Sequence, residues 1–286
     1  MLRGATLSER TLPDFMNIIL VGYSQERTRR ALAFCEMTFR NVAIRHRILV
    51  FNNAAESAPE TPAGWLMFHG SNDLGEFSGW QEGIDHLRGR EHPAGVVLVN
   101  DTVGAYRHLS VFRRWAFVRE VETIAPRAPG GIVGFLDDAD GAPDELTICG
   151  MPASPWVSSY CFALSRDVMQ SLGGVLCFRD QVDSCVSGGI DENTFFTHQV
   201  SPALQRHLKA WLFGAWHRSE PLTISSHRRL SFKARCICAE LLLSAHCRKL
   251  GVKFCDPLER HRSARALDAL NGRRVKLLAD FRRLAS

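Results

Sequence analysis

The chain contains no run of about 18 uncharged apolar residues, so no spanning helix is expected. Its opening stretch, Met1 to Arg10, lacks the apolar centre of a secretory leader. None of its nine cysteines forms a CxxC pair, and Cys236-Ile237-Cys238 is too tight for the usual zinc-knuckle spacing. These absences together point to reduced thiols in a cytoplasmic protein. There is no internal repeat and no low-complexity tract. The composition is that of an ordinary soluble globular protein, long enough for one large domain or a domain with an appendage.

Charge is unevenly spread. Residues 228–286 hold 15 Lys and Arg against 5 Asp and Glu, a net +10, which leaves −5 on the preceding 227 residues. Such a tail suits an anionic partner, a membrane surface, a polyphosphate or nucleic acid, unless it is simply a solvated basic helical face.

Taken in order, Asn17 to Val21 is a short apolar run ending at Gly22-Tyr23-Ser24, and Glu26 to Phe39 then carries helical spacing. Arg47 to Phe51 is a second strand ending in Asn52-Asn53, and Trp65 to Phe68 a third. The stretch from Gly70 to Gly83 is a small-residue loop opening a helix, which continues through Ile84 and Leu87. Gly95 to Val99 is a buried strand that delivers Asn100-Asp101-Thr102 at its end. A helix around Leu109 to Glu120 precedes a strand at 130–136, and Asp137 to Gly141 reads as a surface turn rather than a calcium loop. Trp156 to Leu164 is strand-like, Ser165 caps the next helix, and Gly188 to Asn193 is a loop. Ser201 opens a helix running through Leu212 and Trp216, a further helix from Ser231 stops at Gly251, and a basic helix starts near Ser263. Strands alternating with helices in this way predict a parallel α/β sheet.

In such sheets ligands meet the C-terminal strand ends, where helix N-termini and strand-end side chains face one crevice. Asp101 is the leading polar candidate there, as a ligand group or as a plain helix cap. Tyr23 stacks on a ligand or covers the core, and Glu76, at a helix start, complements the helix dipole.

The order of these stretches resembles the nucleotide-sugar-binding half of a GT-A glycosyltransferase, similar to bacterial family 2 enzymes of surface polysaccharide synthesis. The likeness rests on Asn52-Asn53-Ala54-Ala55 at the second strand end, on Asn72 with the glycines from Gly75 to Gly83, and on Val99-Asn100-Asp101-Thr102. Two departures stand out: Val99 replaces the first Asp of Asp-x-Asp, and Asn52 replaces a base-contacting Asp. The resemblance implies a Rossmann-like α/β fold with a mainly parallel central sheet flanked by helices. A nucleotide-sugar and acceptor domain would span 1–225 and a basic helical appendage 226–286. It further implies a nucleotide-sugar donor contacted by Gly22, Tyr23, Ser24, Asn53, Asn72, Asn100 and Asp101. Mg2+ or Mn2+ would lie on the diphosphate, held by Asp101 and a late histidine, His217, with His198 as competitor. Asp191 or Glu192 would be the general base of a single displacement, or else dipole partners of a helix. The acceptor would be a glycan or a lipid-linked sugar, reached through peripheral contact of the basic tail with an anionic membrane; nucleic acid is disfavoured because no recognisable motif accompanies the charge. The alternative in another class is a non-catalytic nucleotide- or carbohydrate-binding partner of a glycan assembly complex.

Overall fold

The computed structural model describes residues 15–88, 95–103, 105–106, 109–124, 130–139, 146–214 and 219–271. The first strand, β1 (Met16–Gly22), is followed by helix α1 (Gln25–Thr38), then β2 (Ile44–Phe51), β3 (Trp65–His69), α2 (Gly75–Leu87) and β4 (Gly95–Asn100). Next come α3 (Val111–Ile124), β5 (Gly131–Asp137), a small hairpin of β6 (Thr147–Ile148) and β7 (Met151–Pro152), and the long β8 (Trp156–Ser165). The chain continues with α4 (Arg166–Ser171), α5 (Arg179–Cys185), α6 (Pro202–Phe213), α7 (Ile224–Lys249), β9 (Lys253–Cys255) and α8 (Pro257–Arg260), and residues 262–271 form a further helix, where the basic helix near Ser263 is expected.

Seven strands form one sheet in the order β3-β2-β1-β4-β8-β5-β9. All run parallel except β8, which is antiparallel to both neighbours. The expected mainly parallel α/β sheet is therefore present. The reversed strand could not be read from its residues, because a buried apolar run looks the same in either direction.

Period-two alternation divides the strands between two cores. Ile19, Val21, Ile48, Val50, Val96, Leu98, Phe162 and Leu164 face one side, with α2, α6 and α7. Ile18, Leu20, Leu49, Val97, Val99, Phe135 and Cys161 face the other, with α1 and α3. Both faces are covered, as a parallel sheet requires. Ser165 and Ser201 cap α4 and α6 through their side chains, accepting from Val168 N–H and Leu204 N–H. Helix α7 begins earlier than its apolar spacing suggested, capped by a Thr223–Ser226 capping box. Leu230, Ala234, Ile237, Cys238 and Leu241 of α7 join the first core. A division at 225/226 thus falls inside α7, whose inner face packs on β8, α5 and α2.

Trp80 ties α2 to the centre of the sheet. It is fully buried, meets Phe77 and Phe162 edge-on at 5.1 and 5.3 Å, and donates its indole N–H to the Val99 carbonyl at 3.0 Å. Trp80→Ala is expected to cost about 3–5 kcal/mol, and Trp80→Phe, which keeps ring contact but loses the indole hydrogen bond and part of the ring volume, about 1–3 kcal/mol. Urea unfolding should show both losses as a lower midpoint at unchanged slope.

Candidate functional site

Strands β1, β2 and β3 build outward in one direction, and the chain then returns to lay β4 on the far side of β1. The order reverses between β1 and β4, and the crevice outside that point is where an open α/β sheet receives ligands. Asp101 sits there, one residue beyond β4 and wholly buried. Its Oδ2 accepts from the backbone N–H of Tyr23 at 2.8 Å and of Ser24 at 3.1 Å, and lies 3.5 Å from Arg27 Nε. Ser24 occupies the N-cap of α1 but makes no side-chain cap. The carboxylate from β4 thus does the capping, where charge and helix dipole suit each other. Asp101 is a helix cap, as one reading of the sequence had it, but of α1, 77 residues upstream. Burial raises its pKa, with the two N–H donors and Arg27 opposing that effect.

Neighbouring asparagines fasten the same strand ends. Asn53 Nδ2 donates to the Tyr23 carbonyl at 2.7 Å, and Asn52 Nδ2 to the Gly75 carbonyl at 3.0 Å. Asn100 Oδ1 accepts from Thr102 N–H at 3.0 Å, while its Nδ2 donates to the Ser159 carbonyl of β8 at 3.3 Å. Gly22 and Gly75 are close-contact positions. A Cβ on Gly22 would stand 2.2 Å from Thr28 Oγ1, and Gly75, at φ +56°, would put one 2.7 Å from Cys236 Sγ. Tyr23 packs against the core. Its hydroxyl is buried beside Glu76 and Asn52 without a hydrogen bond of its own among the described residues, and burial pushes its pKa well up. The ring covers the core.

Beside these residues lies a pair of acids from distant parts of the chain. Ser159 donates its hydroxyl to Glu76 Oε1 at 3.1 Å and its backbone N–H to Glu240 Oε1 at 2.5 Å. Glu76 opens α2 and Glu240 is the one acid of α7. Burial raises the pKa of both; that of Glu240 reaches about 8, with the Glu76 charge as second cause. Two largely buried carboxyls so close cannot both ionise cheaply, so near neutral pH the pair holds a proton. Glu76 is therefore more than a dipole partner. Glu240, Ser159 and Arg27 were not singled out from the sequence; the available signal was a lone acid within an otherwise basic and apolar helix.

The other expected site residues lie apart from this cluster. Asp191 and Glu192 are exposed in a turn, not at a helix start. Asp191 Oδ1 accepts from Asn193 N–H at 3.0 Å, and the loop is closed at its base by Ser187 N–H to the Phe195 carbonyl at 3.0 Å. Asn72, at φ +56°, lines an open cleft of about 1050 Å³ between the β3–α2 loop, the end of α5 and the first half of α7. His198 pairs with its neighbour Gln199 at 3.0 Å. His217 and the basic segment 272–286 lie outside the described residues.

Of the two expected ligands of a divalent ion, Asp101 is described and His217 lies outside the described residues. Among the described residues no three His, Cys, Asp or Glu side chains converge as ligands. Asp101 has only Oδ1 without a partner, and its other oxygen is committed to α1 and Arg27.

No helix among the described residues is long and apolar enough to cross a membrane. No family model matches the chain, and no curated protein matches it. Among solved structures, the mannosyltransferase PcManGT from Pyrobaculum calidifontis in complex with GDP-Man and Mn2+ is similar at 12% identity and a TM-score of 0.36, covering 92% of this chain and 80% of that one.

The Glu240 carboxyl has a sign-definite effect on stability. Its folded pKa of about 8 lies above the ordinary 4.5, so the folded chain keeps a proton that the unfolded chain releases. Its stabilising contribution is complete below the ordinary value and is lost as pH rises through the folded one. The denaturation midpoint is expected to fall between about pH 5 and pH 9, and Glu240→Gln to flatten that fall and exceed wild type at the alkaline end. Denaturant unfolding across that range measures it.

Proposed function

We propose that this chain is a glycosyltransferase that moves a sugar from a nucleotide-sugar donor to an acceptor hydroxyl by single displacement. The observation that carries the reading is the Glu76–Ser159–Glu240 cluster at the sheet's reversal point, beside the strand ends fastened by Asp101. An acceptor hydroxyl must lose its proton as it attacks the anomeric carbon, and the most effective base has a pKa near the working pH. Glu240 meets that condition, with Glu76 and Ser159 setting its environment. As the new bond to the anomeric carbon forms, the bond to the diphosphate breaks and the acceptor proton passes to the carboxyl pair. Arg27, one-quarter exposed and stacked over Tyr106 at 5.7 Å, is the cation nearest the leaving diphosphate in this reading.

A dinucleotide-dependent oxidoreductase fits less well. The β1–α1 turn reads Gly22-Tyr23-Ser24-Gln25-Glu26-Arg27 and lacks the glycine fingerprint, and Asp101 already occupies the α1 N-terminus that a pyrophosphate would need. The order of strand-end motifs supports glycosyl transfer as well, and with it a glycan or lipid-linked acceptor of a surface polysaccharide. A second reading, a non-catalytic nucleotide-binding partner, is favoured by the full burial of Asp101 together with Val99 and Asn52 at the two departures.

Radiolabelled nucleotide-sugars, assayed for transfer or for slow hydrolysis to water, test the assignment. Glu240→Gln is expected to lower kcat by about 10²–10⁴ with donor affinity unchanged, while Asp191→Asn and Glu192→Gln stay within about threefold of wild type. The opposite ranking would move the base to the exposed turn. Donor binding without turnover in the wild-type protein would favour the non-catalytic reading.

A further inference from the structure

Of the nine cysteines, seven are buried and two, Cys149 and Cys236, reach partway to the surface; all are free thiols. Cys149 Sγ stands 3.7 Å from Cys185 Sγ, and Cys185 in turn has the Cys238 thiol of α7 as a hydrogen-bonding neighbour. Three thiols from three elements thus meet through Cys185, without forming a metal-ligand cluster. Cys149 is also an unexpected residue for its backbone. With Gly150 it makes the two-residue turn between β6 and β7, at φ of +48° and +71°. Positive φ at both positions of a hairpin turn favours Asn-Gly or Gly-Gly, so a cysteine at the first adds strain that the turn does not need. Cys185, its neighbour, ends α5. The segment between them in space, residues 186–200, is fastened beside both. Cys149 N–H donates to the Gln199 carbonyl at 2.7 Å, and the Cys185 carbonyl accepts from Thr197 N–H at 3.0 Å.

We propose that Cys149 and Cys185 are a redox-active thiol pair, oxidised by a hydroperoxide to a disulfide that ties the β6–β7 turn to the end of α5. Cys149, the thiol that solvent reaches, gives up its proton and attacks one peroxide oxygen. An S–O bond forms, the O–O bond breaks, and the departing oxygen takes a proton and leaves as water or an alcohol. Cys185 then attacks the Cys149 sulfur, the S–S bond forms, the S–O bond breaks and water leaves, so that two thiols lose two electrons and the peroxide gains them. The sulfurs must close from 3.7 Å to about 2.05 Å, a movement that a two-residue turn and a helix end can supply. Burial, with Cys185 beside it, pushes the Cys149 thiol up to about 11, so thiolate is scarce near neutral pH and the pair rests reduced. A reducing compartment permits transient disulfides of this kind. Val186 and Ser187, next to Cys185, line the open cleft with Arg228, Arg229 and Arg235 of α7, so the bond fixes one wall of that basic cleft. None of this depends on the transferase reading.

Treatment of the folded full chain with hydrogen peroxide, followed by alkylation with N-ethylmaleimide and peptide mass spectrometry, tests the pair. A linked Cys149–Cys185 peptide should appear and should vanish on addition of dithiothreitol. Its rate of formation should rise about tenfold per pH unit between about pH 7 and pH 9, since Cys149 must ionise first. The oxidised protein should melt about 5 °C or more above the reduced one, and hydrogen exchange should slow in residues 146–152 and 185–200. Cys185→Ser should stop at a Cys149 sulfenic acid that dimedone captures. Cys149→Asn, which suits the positive φ better than cysteine, removes the thiol without harming the turn. It should melt no lower than reduced wild type and show neither the linked peptide nor the gain on oxidation. A bond that forms only after unfolding in urea, a bond between any other two cysteines, or wild-type oxidation that ends in a Cys149 sulfinic acid would overturn the proposal.

Discussion

A single buried carboxylate holds the ligand end of this sheet together. Asp101 leaves β4 and takes up the N–H groups of Tyr23 and Ser24, joining the start of α1 to the strand that lies beside β1 only because the chain has turned back. Charge-assisted hydrogen bonds of this kind are stronger than neutral ones, and their loss would take from two helix-start donors their acceptor and from Arg27 its carboxylate. Asn53 and Asn52 extend the same fastening to β2 and α2, and Asn100 extends it to β8. The carboxyl pair on Ser159 is positioned through that chain of contacts, since β8 carries Ser159 and α2 carries Glu76.

Much of the fold was legible in the sequence. Apolar runs at β1, β2 and β4, helical spacing through α1 and α2, and the serine caps of α4 and α6 all lie where the residue pattern put them, because burial on a two-layer or three-layer architecture imposes a local period. The direction of β8, the short β6–β7 hairpin and β9 were not legible. Strand direction is set by which neighbour a buried run meets, and elements of two or three residues carry too little periodicity to register. Apolar spacing marks only the later part of α7, because its first turns are polar and basic and its start is fixed by the Thr223–Ser226 cap.

The candidate site divided in the same way. The positions of Asp101, Asn53 and Asn100 follow from the apolar runs before them, since each lies at a strand end and a strand end is a fixed address. The roles of Glu76 and Glu240 depend on a contact between residues 164 positions apart, bridged by Ser159 from a third element. Nothing local distinguishes Glu76 from a solvated helix acid, and only its isolation in a basic and apolar helix marks Glu240. Asp191 and Glu192 occupy an exposed turn that Asp191 itself caps, rather than the helix start that adjacent acids after a Gly-Gly step suggest.

The carboxyl pair on Ser159 and the basic cleft occupy different walls, the first near the reversal point of the sheet and the second along α7. The most direct test of the central claim, a nucleotide-sugar site at the strand ends fastened by Asp101, is hydrogen exchange with and without a nucleoside diphosphate. Ligand should slow exchange in residues 22–27, 52–56 and 72–76, the segments that border the crevice. Unchanged exchange in those segments at saturating ligand, or protection confined to 183–188 and 225–235, would contradict it.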